Sequence, residues 1–194
     1  KLLKDIYTNY SLKDTLDIWD SQLISYGSKI IERRVAFINQ LNEIIYDIHK
    51  KLSGDKEEIL IKYEPNVLID DFEKKLKQNQ EKDIKLKMTT VGPHRDDIDF
   101  KINGISARSF ASQGQKRSVA LALKLAEAEV IRKKTGECPV ILLDDVMSEL
   151  DKTRQNFVLN HIEGMQSFLT CCDESNIQNL VGGKRFNVRN GGVF

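Results

Sequence analysis

The chain has 194 residues, 40% hydrophobic and 30% charged, with a mean hydropathy of −0.40. That is enough apolar material for a core in one or two domains, and no run approaches the roughly 20 apolar residues of a bilayer span. Lys+Arg 30 against Asp+Glu 29 gives a net charge of +1, so any nucleic-acid-binding surface has to be local.

Cys138, Cys171 and Cys172 are odd in number and lack C-x-x-C spacing, which argues against a disulfide framework or a zinc knuckle and for a reducing, cytoplasmic setting. The chain opens Lys1-Leu2-Leu3-Lys4-Asp5, without an initiator Met, a signal-peptide core or a cleavage site, and reads as an internal stretch of a longer product.

The first half is helical and charged. From Leu12 to about Leu52, Leu16, Trp19, Leu23, Tyr26, Ile30, Phe37, Leu41, Ile44 and Ile48 recur mostly at spacings of three and four. Ile31, Val35, Ile38, Ile45 and Leu52 run beside them and widen the apolar face. A helix of about 40 residues would be about 60 Å long. It fits an arm or coiled-coil-like hairpin, and equally the core helices of a small bundle. Ser53-Gly54-Asp55 ends it, and His49 is read as a surface residue. Ile59–Tyr63 is a short strand stopped by Pro65, and Leu68 to about Lys85 a weakly amphipathic helix.

Near residue 90 the character of the chain changes, which places a boundary between a helical lobe (1–90) and an α/β segment (91–194). Ile98–Ile102 alternates, Asn103-Gly104 supplies a hairpin turn, and Ile105 begins the return strand. Gln115–Lys134 is an Ala/Leu-dense helix closed by Gly136. Pro139–Leu143 has the continuous apolar character of a central parallel strand. Ser148 to about Glu163 is a further helix, Gln166–Cys171 a further buried strand, and the tail a hairpin around Asn190-Gly191.

Two groups carry candidate chemistry. Asp144 and Asp145 follow the apolar strand, where open parallel sheets bind ligands. One carboxylate there suits a Mg²⁺ and the other a nucleophilic water, although alone the pair is more simply a solvated turn. Ser112-Gln113-Gly114-Gln115-Lys116-Arg117 combines a capping Ser, a small Gly and free helix-start N–H groups, a pattern suited to an anion, although alone it is more simply a helix cap.

Their order and spacing change the odds. Ser112–Gln115 resembles the signature motif of the ABC-type ATPases, Val140–Asp145 their Walker B, and Ser148-Glu149-Leu150-Asp151 their D-loop. Together with Gly92-Pro93-His94-Arg95-Asp96-Asp97, these segments resemble the C-terminal half of the RecF family, bacterial recombination mediators in the SMC-like branch of that superfamily. The implied fold is the C-terminal part of an ABC-type P-loop ATPase lobe, a mostly parallel sheet with helices, plus a long-helix lobe.

The resemblance further implies that Asp144 binds Mg²⁺, directly or through water, and that Asp145 occupies the general-base position. Ser112, Gln113, Gly114 and Gln115 would meet ATP held by a second subunit, in an ATP-dependent homodimer, with Ser148, Glu149 and Asp151 at its interface. The implied partners are DNA, double-stranded and at double/single-strand junctions, and RecR and RecO, with no membrane. The implied task is loading recombinase on gapped DNA.

Departures stand beside it. Gln113 replaces the first Gly of the usual signature, and Asp145 stands where many ABC ATPases have Glu, consistent with slow hydrolysis. Thr170-Cys171 stands where transporters place a switch His. No G-x-x-x-x-G-K-[ST] occurs: Gly183-Lys184 is followed by Arg185, with Gln178 where the first Gly belongs. The chain is therefore expected to be silent toward ATP by itself, and its parent a weak, DNA-stimulated ATPase. His94 and Arg95 read as DNA contacts or, preferably, as part of a structural network. The competing readings are a transporter's ATPase subunit, which has no need of the long helix, and a non-catalytic dimerisation module.

Overall fold

The computed structural model describes residues 1–173 and 182–194; Gln178 lies outside them. α1 (Leu2–Thr8) and a 3₁₀ turn lead into α2 (Leu16–Leu52), a single continuous helix of 37 residues, about 55 Å long. Its lower half packs on α3 (Phe72–Leu86), where Ile31 on α2 joins Val67, Phe72, Leu76 and Val91 in one apolar cluster. Gly27 permits this approach, since a Cβ there would lie 2.6 Å from the Phe72 ring.

The upper half of α2 enters the main core. Ile38, Leu41, Ile45, Ile48 and Leu52 pack with Ile59 and Ile61 of β1 (Ile59–Glu64) and with Val119, Ala122, Leu125 and Ala126 of α5 (Gln113–Thr135). β1 pairs antiparallel with β2 (Asp97–Ile102), joining segments from either side of residue 90, and β2 turns through Asn103-Gly104 into β3 (Ile105–Ser106). A short α4 (Ala107–Phe110) precedes α5. β4 (Ile141–Asp144) and β5 (Ser167–Thr170) form a parallel pair connected through α6 (Lys152–His161), and β6 (Val188–Arg189) with β7 (Gly192–Val193) forms the tail hairpin.

Four expectations change. Ser148 lies in a 3₁₀ turn (Val146–Glu149), and α6 begins only at Lys152 because Asp151 caps it. The parallel strands are buried on one face alone. Leu142 is 73% exposed and Phe168 57%, since the two strands pair with each other and their outer face is uncovered among the described residues. His49 is completely buried, because it lies beside Ile45, Ile48 and Leu52 on the core-facing stripe of α2. On the same helix Trp19 and Tyr26 are more than half exposed and Ile30, Val35 and Phe37 partly so, and the apolar face is narrower than the two parallel lines imply. No helix among the described residues is long and apolar enough to cross a membrane.

Candidate functional site

The first turn of α5 is built by a capping box. Ser112 Oγ accepts from the Gln115 N–H at 3.2 Å, and Gln115 Oε1 accepts from the Ser112 N–H at 2.8 Å. This satisfies two donors at the helix start and leaves the N–H groups of Gln113 and Gly114, both exposed, without a helical partner. Ser118, fully buried one turn on, returns its hydroxyl to the Gly114 carbonyl at 2.9 Å.

Asp144 ends β4 opposite Thr170 of β5. Thr170 Oγ1 donates to Asp144 Oδ1 and accepts from the Asp145 N–H at 3.0 Å. Asp145 leaves the strand in the left-handed region, φ +51° and ψ +22°, which non-glycine residues seldom occupy and which Asp tolerates better than most. The change of direction starts the 3₁₀ turn, where Ser148 Oγ donates to the Asp145 carbonyl at 2.8 Å. Asp151 then caps α6, accepting from the Arg154 N–H at 3.0 Å.

These segments meet. Arg117 on α5 pairs with Glu149 in the turn at 2.8 Å, so Ser112–Arg117, Asp144-Asp145 and Ser148–Asp151 form one connected, largely exposed surface. Gln155, 4% exposed, fixes the turn from beneath, donating to the Met147 carbonyl at 2.6 Å and the Leu150 carbonyl at 3.1 Å.

His94 and Arg95 lie apart from that surface, in the turn before β2. His94 Nε2 is 2.9 Å from the Thr89 carbonyl, and Arg95 reaches Met88 Sδ at 3.6 Å. Their neighbours are the hubs. Asp96 accepts from Arg34 at 2.7 Å, from the Asn66 N–H at 2.9 Å and from the Tyr63 hydroxyl. Asp97 forms a two-point pair with Arg108 at 2.7 and 2.8 Å, and that guanidinium holds its carboxyl down at about 2. Burial, with the Asp96 contact behind it, pushes the Tyr63 hydroxyl up to about 12.

A second polar centre has no signature in the sequence. His49 on the last turn of α2 lies 3.1 Å from Glu57, and burial lowers its imidazole's proton affinity more than Glu57 restores it. Arg154 donates to the Leu52 carbonyl at 3.2 Å, tying the same turn of α2 to the start of α6. Gln155 had a readable signal, being a polar residue in register with Val158, Leu159 and Ile162 on the buried face of α6. The partners of His49 arise from tertiary packing and leave no local pattern.

For a metal, the described residues contain no group of three His, Cys, Asp or Glu side chains able to hold an ion. Asp144 at an exposed strand end nevertheless suits a cation such as Mg²⁺, which is held by one or two carboxylates and completed by water and substrate phosphates.

No protein-family model matches the sequence. The fold belongs to the ABC-type ATPase class. It matches two solved structures described as the recombination mediator protein RecF with ATP and with ATPrS in the RecFOR pathway, at TM-scores of 0.85 and 0.83 and identities of 36% and 35%. They cover 100% and 99% of this chain, which spans 53% of theirs. Relatives named DNA replication and repair protein RecF are 54% identical in Lachnoclostridium phytofermentans, over 88% of this chain and 47% of the relative, and 48% identical in Lachnospira eligens, over 100% and 54%. The chain is similar to RecF along 88–100% of its own length in these comparisons, and it spans about half the length of the curated relatives it matches.

Proposed function

We propose that this chain supplies the signature, Walker B and D-loop half of a RecF-type ATPase that uses ATP as a clamp on DNA. The observation that carries the reading is the connected surface at one end of α5. An open helix start at Ser112, an acidic pair at Asp144-Asp145 and the Ser148–Asp151 turn are joined there by the Arg117–Glu149 pair and the Ser148–Asp145 hydrogen bond.

In this reading the Ser112–Gln115 turn meets the terminal phosphate of ATP held by a second subunit: the open N–H groups of Gln113 and Gly114, with Lys116 nearby, form the anion site, and Ser112 and Gln115 hold the turn through the capping box. Asp144 holds Mg²⁺, directly or through water, and the ion supplies charge neutralisation for the phosphates. Asp145 orients the attacking water and accepts its proton; its left-handed backbone turns the chain out of the strand at that point. Ser148, Glu149 and Asp151 cross the dimer interface. Assembly on ATP closes the clamp on double-stranded DNA or a double/single-strand junction, hydrolysis opens it, and RecR and RecO cooperate in loading recombinase on gaps. The relatives' shared description as DNA replication and repair proteins supports the DNA role.

The test mixes this chain with the part of the Lachnospira eligens relative that it does not match, and measures ATP turnover with and without DNA. Turnover in the mixture, absent from either part alone and lost in Ser112→Arg or Asp144→Ala, is expected. A mixture that associates yet stays silent with ATP and DNA overturns the hydrolytic part of the reading and leaves ATP-dependent association as the activity to measure.

A further inference from the structure

The start of α5 is fastened to a residue far from it in sequence. Gln115 uses its backbone N–H and its Oε1 for the capping box with Ser112. Its remaining amide group, Nε2, donates to Glu57 Oε1 at 2.9 Å. The other oxygen of Glu57 lies 3.1 Å from His49 Nε2. His49 is completely buried and the Glu57 side chain is 16% exposed, so this line of contacts runs mostly inside the protein.

The chemistry fixes the direction of each bond. An ionised carboxylate only accepts, so both Gln115 Nε2 and His49 Nε2 donate to Glu57. His49 Nδ1 is buried and has no hydrogen-bond partner among the described residues. A proton there would be an unpaired buried donor, which favours the neutral imidazole carrying its hydrogen on Nε2.

At the third position of a capped helix, Glu and Gln ordinarily serve alike. Here they are not equivalent. Only an amide offers an acceptor to the Ser112 N–H and a donor to Glu57 at the same time. A carboxylate at 115 would meet the Glu57 carboxylate at hydrogen-bond distance, with like charge and little water between them.

We infer that Glu57, oriented by His49, is a positioning residue for the Ser112–Gln115 turn. It holds the Gln115 side chain, and through it the Ser112 backbone, so that the open N–H groups of Gln113 and Gly114 meet an anion in one fixed arrangement. The inference rests on the nucleotide reading above, which takes that anion to be the terminal phosphate of ATP. It also makes the last turn of the long helix a mechanical part of the ATP site.

A reciprocal swap tests it in the two-part assembly. Gln115→Glu is expected to lower kcat for ATP about tenfold, the cost of turning a charge-assisted hydrogen bond into a like-charge contact, with KM changed far less. Adding Glu57→Gln restores a donor–acceptor pair with its direction reversed and is expected to recover most of the lost turnover. Hydrogen exchange at the Ser112, Gln115 and Lys116 amides is read in parallel, faster in the single variant and slowed again in the double. Unimpaired turnover in Gln115→Glu, or a double variant no better than the single, overturns the inference. If the unsubstituted mixture hydrolyses no ATP, the nucleotide reading fails on its own account and exchange decides the positioning role: rescue by the swap sustains it, and no rescue overturns it.

Discussion

The Thr170 hydroxyl accepts the backbone N–H of Asp145 at 3.0 Å while donating its own proton to Asp144. One oxygen on β5 thus holds both acids that end β4, including the one whose backbone turns left-handed. A hydroxyl is the smallest group able to donate and accept at once. Thr170→Val keeps the shape and removes both bonds. It is expected to lower ATP turnover of the assembled protein about tenfold, while costing about 1 kcal/mol of stability at this exposed position. Thr170→Ser should retain most of the activity. Equal turnover in Thr170→Val and the parent would show that the acids need no such tether.

Gln155 does the corresponding work beneath the Ser148–Asp151 turn. Its Nε2 is shared between the Met147 and Leu150 carbonyls inside the protein. Gln155→Leu fills the space with apolar atoms and leaves those carbonyls without this donor. Burying an unsatisfied acceptor costs about 1–3 kcal/mol, so the melting temperature should fall by several degrees. The loss should exceed that of Arg117→Ala, which breaks a half-exposed ion pair worth about 0–1 kcal/mol.

Much of this architecture was legible in the sequence because it is written in local periodicity. The three-and-four spacing of Leu41, Ile44 and Ile48 marks α2, the alternation at Ile98–Ile102 with Asn103-Gly104 marks the hairpin, and the capping Ser112 marks the start of α5. Boundaries drifted where a cap overrode a pattern. Asp151 moved the start of α6 past Ser148, whose hydroxyl binds the Asp145 carbonyl inside a 3₁₀ turn. His49 reads as a surface residue by type alone, whereas its register between Ile45 and Leu52 places it inside. Glu57 carried no signal at all, for its partners lie 8 and 58 positions away and only the fold unites them.

Gly27 illustrates a packing constraint that composition cannot show. It is buried on α2 against the ring of Phe72, itself fully buried, and an added Cβ would sit 2.6 Å from the ring and 3.3 Å from Pro93. Gly27→Ala gains about 1 kcal/mol of helix propensity. Overpacking costs about 1–3 kcal/mol, and two neighbours have to move, so the net effect is expected to be destabilising. Phe72→Leu alone should also destabilise, but combined with Gly27→Ala it should cost less than the sum of the two changes. Strict additivity in thermal melts would mean that the contact is not what excludes a side chain at position 27.

Acid sensitivity follows from the buried His49 and the half-buried His161. Burial lowers the proton affinity of His49, with Arg154 acting in the same direction and Glu57 opposing. His161, stacked on Phe157, is lowered by burial too, with Lys51 and Arg132 adding to the effect and Glu129 opposing. Because each folded-state value lies below the ordinary 6.5, the unfolded chain takes up protons first as pH falls. The stabilisation from keeping these imidazoles neutral is complete above about pH 6.5 and drains away below it, toward the lower folded-state values. Asp97 contributes in a separate window. Its folded value of about 2 against 3.8 means that its share persists above 3.8 and is lost only as pH falls toward 2. Melting temperatures should therefore decline between about pH 6.5 and about pH 5, where the Asp97 carboxylate does not titrate. His49→Gln, which keeps a donor toward Glu57 but has no ionisable ring, should flatten that slope while leaving the decline below about pH 4 intact. An unchanged slope between those limits would mean that His49 does not carry it.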